Sequence, residues 1–255
     1  MIGHTYIQLG TVGSTNNYAM VEIKAGRALH GTVYMADHQT AGKGQRGKAW
    51  QAASGQNITL SIALKPLMDY THQPFLCSMV VALGCYHFLK NYVPDELTIK
   101  WPNDMYWKNR KAGGILIENI YHGTEWQWAI AGIGININQV VFDSFLHKAV
   151  SLKQITGKHF DILSLSKLLC SCINNTWEKW VQQGAPYIID AYNEVLFCRE
   201  KIVHFKKDAI LFEAKVLGVD VMGNVMLQRN GIELFAHGTI EWIMEKPIAH
   251  CACLK

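Results

Sequence analysis

Alternating apolar and polar positions predict that strands and helices interleave over most of the chain. The period-two pattern predicts strands over residues 5–9, 32–36, 58–64, 97–101, 115–120 and 126–137. Apolar positions at helical spacing predict helices over residues 15–25, 75–91, 163–183 and 186–197, the first capped by Ser14 or Thr15. Residues 37–57 are polar and rich in glycine, and loops of that length in compact domains usually have a function or are mobile.

The pattern changes after residue 197. Short strands are predicted over residues 201–205, 209–217, 225–228 and 233–237, with Gly218, Gly223 and Gly231 in the turns between them. Several short strands in so few residues are typical of a small barrel. We therefore predict two domains, residues 1–196 and residues 197–255.

Composition and charge exclude several classes of protein. Of the 255 residues, 49% are hydrophobic and 17% are charged, which excludes a mainly disordered chain. The net charge of +4 is weak for a protein that binds nucleic acid. The most apolar stretch, residues 75–89, is too short to cross a bilayer, and residues 1–4 do not resemble the start of a secretory signal. A cytoplasmic protein that does not bind membranes is expected.

The seven cysteines do not suggest a disulfide framework or a metal centre. Their number is odd, and the two closest pairs, at 170/172 and 251/253, are C-x-C rather than the C-x-x-C of zinc and redox motifs. The chain also lacks an H-E-x-x-H pattern. We expect no metal site built from protein ligands alone.

Residues 42–47 (GKGQRG) contain the spacing G-x-G-x-x-G, which alone is a weak signal for dinucleotide binding. That motif requires a helix directly after it and an acidic residue about 20 positions later. Here the segment continues toward a strand, and the first acidic residue after Asp37 is Asp69. Lys43, Arg46 and Lys48 among glycines instead suit a loop that covers a phosphate, although an ordinary solvated loop has the same composition.

Three further segments carry candidate chemistry. Residues 100–104 (KWPND) end a strand, residues 111–116 (KAGGIL) begin the next, and residues 132–138 (GIGININ) form a third glycine-rich stretch. This order predicts a carboxylate and an ammonium group at the ends of adjacent strands, beside glycines that let a ligand lie against the backbone. Each segment alone is also explained as ordinary turn chemistry.

Taken together and in order, these segments resemble the biotin–protein ligase family, also called biotin–[acetyl-CoA-carboxylase] ligase. The resemblance covers nearly the whole chain, including residues 218–223 and 238–240 near the C-terminus. It implies an α+β fold with a mixed β-sheet similar to class II aminoacyl-tRNA synthetases, followed by an SH3-like barrel. It also implies that biotin reacts with ATP to form biotinyl-5′-AMP, and is then transferred to one lysine of a biotin carboxyl carrier protein.

The same resemblance implies roles for individual residues. Those expected to bind biotin are Ser14, Thr15, Asn16, Gln39, Gly42, Lys43, Lys111, Gly113 and Gly114. Those expected to bind ATP and the adenylate are Lys43, Gln45, Arg46, Lys48, Trp50, Asn103, Lys111 and Asn136. Those expected to act in catalysis are Lys111, Asp104, Lys43 and Arg46.

The resemblance also implies Mg²⁺ bound with ATP, and it leaves a homodimer possible. Family members that act as repressors carry an N-terminal winged helix-turn-helix, which this sequence does not show, so no DNA binding is expected. Two alternatives stay open at this stage. One is a lipoate or octanoate ligase of the same fold, and the other is a binding module without catalysis.

One departure from the family pattern generates a prediction. The family's loop commonly reads G-R-G-R-x-G-R, whereas Gln45 stands here at the position of the second arginine. We expect Gln45→Arg to slow the dissociation of biotinyl-AMP, because an added guanidinium would attract its phosphate. Stopped-flow measurement of adenylate release gives this rate for both proteins. An unchanged dissociation rate would contradict the idea.

Overall fold

The computed structural model of the chain describes residues 1–93, 95–143 and 148–243. The chain divides into two compact units, Met1–Phe197 and Cys198–Lys255. This division lies one residue from the boundary that the sequence predicted. The cysteine pair at 251/253 and the rest of residues 244–255 lie outside the described residues.

Seven strands and four helices form the described part of the first unit. The strands are β1 (Tyr6–Val12), β2 (Thr32–Gln39), β3 (Asn57–Leu64), β4 (Leu97–Lys100), β5 (Asp104–Trp107), β6 (Arg110–His122) and β7 (Glu125–Asn136). The helices are α1 (Thr15–Lys24), α2 (Phe75–Lys90), α3 (Leu152–Thr156) and α4 (Ile162–Glu194). The strands form one sheet in the order β1-β2-β3-β7-β6-β5-β4, parallel between β1 and β2 and antiparallel elsewhere. The mixed sheet confirms the predicted α+β class.

Helices α2 and α4 pack against each other and close one side of the core. Gly84 of α2 permits this contact, since a Cβ atom there would lie only 2.6 Å from the Cα atom of Ile173 in α4. Helix α4 is broken at Gly184, which adopts φ 77° and is followed by Pro186. The break confirms the two separate helices that the sequence predicted in this region.

Strand β3 lies inside the sheet between β2 and β7, and all eight of its residues are buried. Its Ala63 packs with Tyr34 of β2 and Ile130 of β7 against Ala19 and Ile23 of α1. Helix α1 is thereby fixed across the middle of the sheet. This packing determines where the N-terminal end of α1, at residues 14–16, meets the strands.

The second unit is an antiparallel sheet in its described part. Its strands are β8 (Ile202–Lys207), β9 (Ile210–Val219), β10 (Val225–Gln228), β11 (Ile232–Phe235) and β12 (Glu241–Ile243), in the order β11-β10-β9-β8-β12. Phe205 is fully buried between the rings of Phe212 and Trp242, at centroid distances of 5.7 and 4.9 Å. Such a sheet is compatible with the predicted SH3-like barrel.

Short elements are where the sequence prediction was incomplete. It omitted β5, α3 and β12, which have four, five and three residues. Helix α3 does carry a local signal, because Ser151 and Gln154 form a capping box and Gly157 ends the helix in the left-handed conformation. In the described residues, no helix is long and apolar enough to cross a membrane.

Buried histidine generates a prediction about stability. Burial lowers the pKa of His30 from its ordinary value of 6.5, as does the charge of Lys65, whose backbone N–H donates to His30 Nδ1 at 3.1 Å. Below pH 6.5 the unfolded chain therefore binds a proton that the folded protein resists, so stability should fall as the pH decreases. His30→Asn, which keeps an acceptor, should lose less unfolding free energy between pH 7.5 and 5.5 than the wild type in urea titrations.

The exposed His72 provides the control. His72→Asn should show the same pH dependence as the wild type. If the unfolding free energy of His30→Asn also depends on pH as that of the wild type does, the burial of His30 does not contribute to acid sensitivity.

Candidate active site

The register of four strands creates a strip without side chains on one face of the sheet. Thr59 of β3 pairs with Gly134 of β7, Gly134 pairs with Gly114 of β6, and Gly114 pairs with Asp104 of β5. Paired residues on neighbouring strands share a face. Gly132, two residues before Gly134, lies on that same face. Glycines at these positions let other groups approach the backbone closely.

Five polar side chains form a continuous hydrogen-bonded chain at one end of this strip, and we call them the polar chain. Gln39 Oε1 accepts from the backbone N–H of Thr15 at 2.7 Å and from its hydroxyl at 3.0 Å. Ser61 Oγ lies 2.7 Å from Thr15 Oγ1 and 2.5 Å from Asn16 Oδ1. Asn16 Nδ2 donates to Glu118 Oε2 at 2.7 Å. Thr15, Asn16 and Ser61 are buried, so these partners replace water.

Gly132 fits under this chain because it has no side chain. A Cβ atom there would lie 2.3 Å from Asn16 Oδ1 and 3.0 Å from Asn16 Nδ2. The amide of Asn16 therefore rests directly on the backbone of β7. Any larger residue at position 132 would displace it.

An ion pair lies at the other end of the strip. Lys111 Nζ is 2.7 Å from Asp104 Oδ1, and these side chains are 35% and 22% exposed. A Cβ atom at Gly114 would lie 3.1 Å from that carboxylate oxygen and 3.2 Å from Lys111 Nζ, so the pair sits over Gly114. The predicted carboxylate and ammonium groups are thus adjacent and reachable from solvent.

Asn103 ties the turn before Asp104 to the strand β6. Its side-chain amide donates to the carbonyl of Ile115, and its own carbonyl accepts from the N–H of Ile115 at 3.0 Å. The Tyr192 hydroxyl donates to the carbonyl of Pro102 at 2.9 Å. Burial raises the pKa of Tyr192, with a further contribution from the Asp104 charge, so the hydroxyl stays protonated and remains a donor.

Asn136 lies at the end of β7, next to the backbone of Lys111. Its side-chain amide donates to the carbonyls of Val150 at 3.2 Å and Lys111 at 3.4 Å. The N–H of Val150 in turn donates to the Lys111 carbonyl at 2.9 Å. Asn136 thus fixes the segment around residue 150 beside Lys111.

The glycine-rich segment between β2 and β3 folds into a small irregular hairpin, which we call the basic loop (residues 42–50). Lys43 and Ala49 form a β-bridge, and Arg46 takes a left-handed conformation at φ 55° in a turn of 3-10 helix. Strand geometry, not a helix, follows the loop, in agreement with the rejection of the dinucleotide motif. Lys43, Arg46 and Lys48 are exposed, and Lys43 Nζ is 3.4 Å from Glu118 Oε1.

Trp50 at the end of the basic loop covers the strip. Its ring lies over Gly134, where a Cβ atom would be 2.3 Å from the ring, and Lys111 Nζ is 6.0 Å from the ring centroid. The indole N–H is buried and has no hydrogen-bond partner among the described residues. An unpaired buried donor close to the Lys111–Asp104 ion pair is a group that a bound ligand can satisfy.

Two of the predicted binding residues are placed differently from the rest. Ser14 is buried at the N-cap position of α1, but its side chain does not form the expected capping hydrogen bond. Gly113 pairs with Ile135 and therefore faces away from Gly114 and the ion pair. Their roles in ligand binding stay predictions.

The polar chain includes two residues that the sequence analysis missed, Ser61 and Glu118. Each is one of two polar residues within a largely apolar segment, in ITLSIAL and ILIENI. That interruption was the available signal. It did not show which partners these side chains would meet, because Asn16 is 45 and 102 residues away from them along the chain.

A cavity of about 520 Å³ lies elsewhere in the first unit, among Gln8, Met35, Asp37 and residues 159–163. None of the predicted site residues lines it. The described residues contain no group of three or more His, Cys, Asp or Glu side chains that could hold a metal ion.

Comparison with known proteins agrees with this geometry. Residues 10–136 match the biotin/lipoate A/B protein ligase family. The chain is 28% identical over 232 residues to the bifunctional ligase/repressor BirA of Escherichia coli, covering 90% of this chain and 71% of that one. It is 34% identical over 132 residues to the biotin–[acetyl-CoA-carboxylase] ligase of Paracoccus denitrificans, covering 51% and 53%.

A solved structure has the same fold. The biotin protein ligase of Aquifex aeolicus in complex with biotin and ATP superposes with a TM-score of 0.80. The match covers 95% of this chain and all of that one, at 23% identity.

The fit between Gly132 and Asn16 generates a prediction. Gly132→Ala should lower the free energy of unfolding by about 1–3 kcal/mol, because displacing Asn16 leaves buried polar groups without partners. Gly10 in β1 has no atom within 4 Å of its missing side chain and is the matched control. Gly10→Ala should be neutral or stabilising by up to about 1 kcal/mol. Equal urea unfolding curves for the two variants would show that Asn16 moves without penalty.

Proposed function

The chain belongs to the biotin/lipoate A/B protein ligase family, and from this premise we propose that it ligates biotin to a carrier protein through biotinyl-5′-AMP. One observation carries the proposal. The side-chain-free strip has a polar hydrogen-bonding chain at one end and the Lys111–Asp104 ion pair at the other. Biotin has the matching order of parts, namely a polar ureido ring, an apolar valeryl chain and a carboxylate.

The polar chain supplies the partners that a buried ureido ring requires. Gln39 uses its carbonyl oxygen for Thr15, so its NH₂ group is directed away from Thr15 and can donate to the ligand. The valeryl chain would then run beside Asn16 and the Trp50 ring, which rest on Gly132 and Gly134, and the carboxylate would reach Lys111.

Adenylation requires a carboxylate oxygen to attack the α-phosphorus of ATP, with pyrophosphate as the leaving group. The two reactants are anions and repel each other, so the site must offset that charge. Lys111 would hold the carboxylate, while Lys43, Arg46 and Lys48 of the basic loop would neutralise the phosphates. Asp104 keeps the Lys111 ammonium in place over Gly114.

Mg²⁺ would accompany ATP and not occupy a cage of protein ligands. The described residues form no group of three or more His, Cys, Asp or Glu side chains, and Asp104 and Glu118 are each paired with a lysine, so they do not form a ready cage for a cation. The ion would supply further charge neutralisation on the phosphates when bound.

Transfer follows when the amine of a carrier lysine attacks the acyl carbon of biotinyl-AMP and AMP leaves. That amine must be neutral and correctly directed, and Asp104 is the side chain beside Lys111 that can accept its proton or orient it. Trp50 over Gly134 would shield the mixed anhydride from water until the carrier arrives.

Biotin-dependent exchange of pyrophosphate into ATP tests the first half of the reaction. We expect Lys111→Ala to reduce exchange by about 100-fold or more, because the cation that holds the carboxylate is lost. Lys108→Ala is the matched control, since Lys108 is an exposed lysine in the turn before β6. It should retain wild-type exchange.

Replacing biotin with lipoate in the same assay tests the substrate. Lipoate lacks the ureido group, so exchange with lipoate should be near background. No exchange by the wild type with either acid would contradict the proposed function and would favour a binding module.

A further inference from the structure

Glu118 connects the polar chain to the basic loop, and we propose that it is a positioning residue for both. Its two carboxylate oxygens are divided between them, Oε2 to Asn16 at 2.7 Å and Oε1 to Lys43 at 3.4 Å. The proposal rests on the proposed function for the identity of the ligand.

The hydrogen bond between Glu118 and Asn16 fixes which way the amide of Asn16 points. An ionised carboxylate only accepts hydrogen bonds, so the NH₂ group of Asn16 must face Glu118. Its carbonyl oxygen then faces Ser61 at 2.5 Å. Without Glu118, the longer contact of Asn16 Nδ2 with the carbonyl of Leu116, at 3.4 Å, would be left to hold the amide against turning over.

The consequence extends to the next member of the polar chain. The Ser61 hydroxyl has one proton, shared between Asn16 Oδ1 and Thr15 Oγ1 at 2.5 and 2.7 Å. The orientation of Gln39 is fixed separately, because its carbonyl oxygen accepts from the backbone N–H of Thr15. Glu118 therefore sets the direction of the hydrogen bond between Asn16 and Ser61, beside the end of the site that would hold the polar ring of the ligand.

The ion pair between Glu118 and Lys43 holds the basic loop to the sheet before an anion binds. Lys43 and Glu118 are 42% and 30% exposed, so the ion pair is weak and exchangeable. Arg46 and Lys48 form no ion pair with the described residues, which makes Glu118 the acidic contact of this loop in that part of the chain. An incoming phosphate or carboxylate would take Lys43 from Glu118.

Cleavage by trypsin tests the Glu118–Lys43 ion pair directly, since trypsin cleaves after Lys43, Arg46 and Lys48. In the ligand-free protein, Glu118→Gln should raise the rate of cleavage in the basic loop by up to about five-fold, the range expected for a partly exposed ion pair. The control is Glu125→Gln at the tip of the same hairpin, which changes the net charge equally at an exposed residue. It should be cleaved at the wild-type rate. This measurement does not depend on ligase activity, so it can fail independently of the proposed function.

The pyrophosphate-exchange assay tests the hydrogen bond between Glu118 and Asn16. Glu118→Gln should raise the KM for biotin by roughly three- to ten-fold while kcat changes by less than about two-fold, since binding is altered and the reacting groups are not. A purely structural defect would lower the amount of active enzyme and hence the apparent kcat. If loop cleavage or KM matches that of Glu125→Gln, the proposal is overturned.

A second variant keeps the test valid if Glu118→Gln does not fold. Lys43→Met removes the loop side of the ion pair and should raise cleavage after Arg46 and Lys48 in the ligand-free protein. If Glu118→Gln does fold, adding it to Lys43→Met should give no further cleavage, because the shared contact is already lost. Unchanged cleavage in Lys43→Met, or additive effects in the double variant, would overturn the proposal.

Discussion

The antiparallel register of β3, β7, β6 and β5 is the constraint on which the candidate active site depends. It aligns Thr59, Gly134, Gly114 and Asp104 across one face. Because side chains alternate between faces, a shift of one residue in β7 would turn Gly134 away and bring Ile133 or Ile135 into the strip. The buried strand β3 and the helices packed on the sheet keep this register fixed.

Burial and charge have opposite requirements in this site, and the fold separates them. At one end, buried Thr15, Asn16 and Ser61 satisfy one another through hydrogen bonds, as polar groups removed from water must. At the other end, Lys111 and Asp104 remain partly exposed, where ions are tolerated and a ligand can displace one partner. The glycine strip joins the two environments, and this suits a ligand that is polar at both ends and apolar between them.

Much of the fold followed from local patterns. Helix α2, the strands β3, β6 and β7, and the break of α4 at Gly184 were predictable because apolar periodicity and glycine placement act over a few neighbouring residues. Strand β5 was missed because four residues between a turn and Lys108 are too few to show a period. The sheet pairs it with β4 and β6, and those pairings define it as a strand.

The sequence by itself determined the family resemblance, the candidate cations of the basic loop and the pairing of Lys111 with Asp104 in one region, since these depend on motifs within short segments. Only the tertiary structure decided that Ser61 and Glu118 complete the polar chain and that Gly113 faces away from the strip. The physical reason is that a hydrogen bond depends on which atoms lie within about 3 Å of each other. For residues on different strands, the register of the folded sheet sets that distance, and spacing along the chain does not contain it.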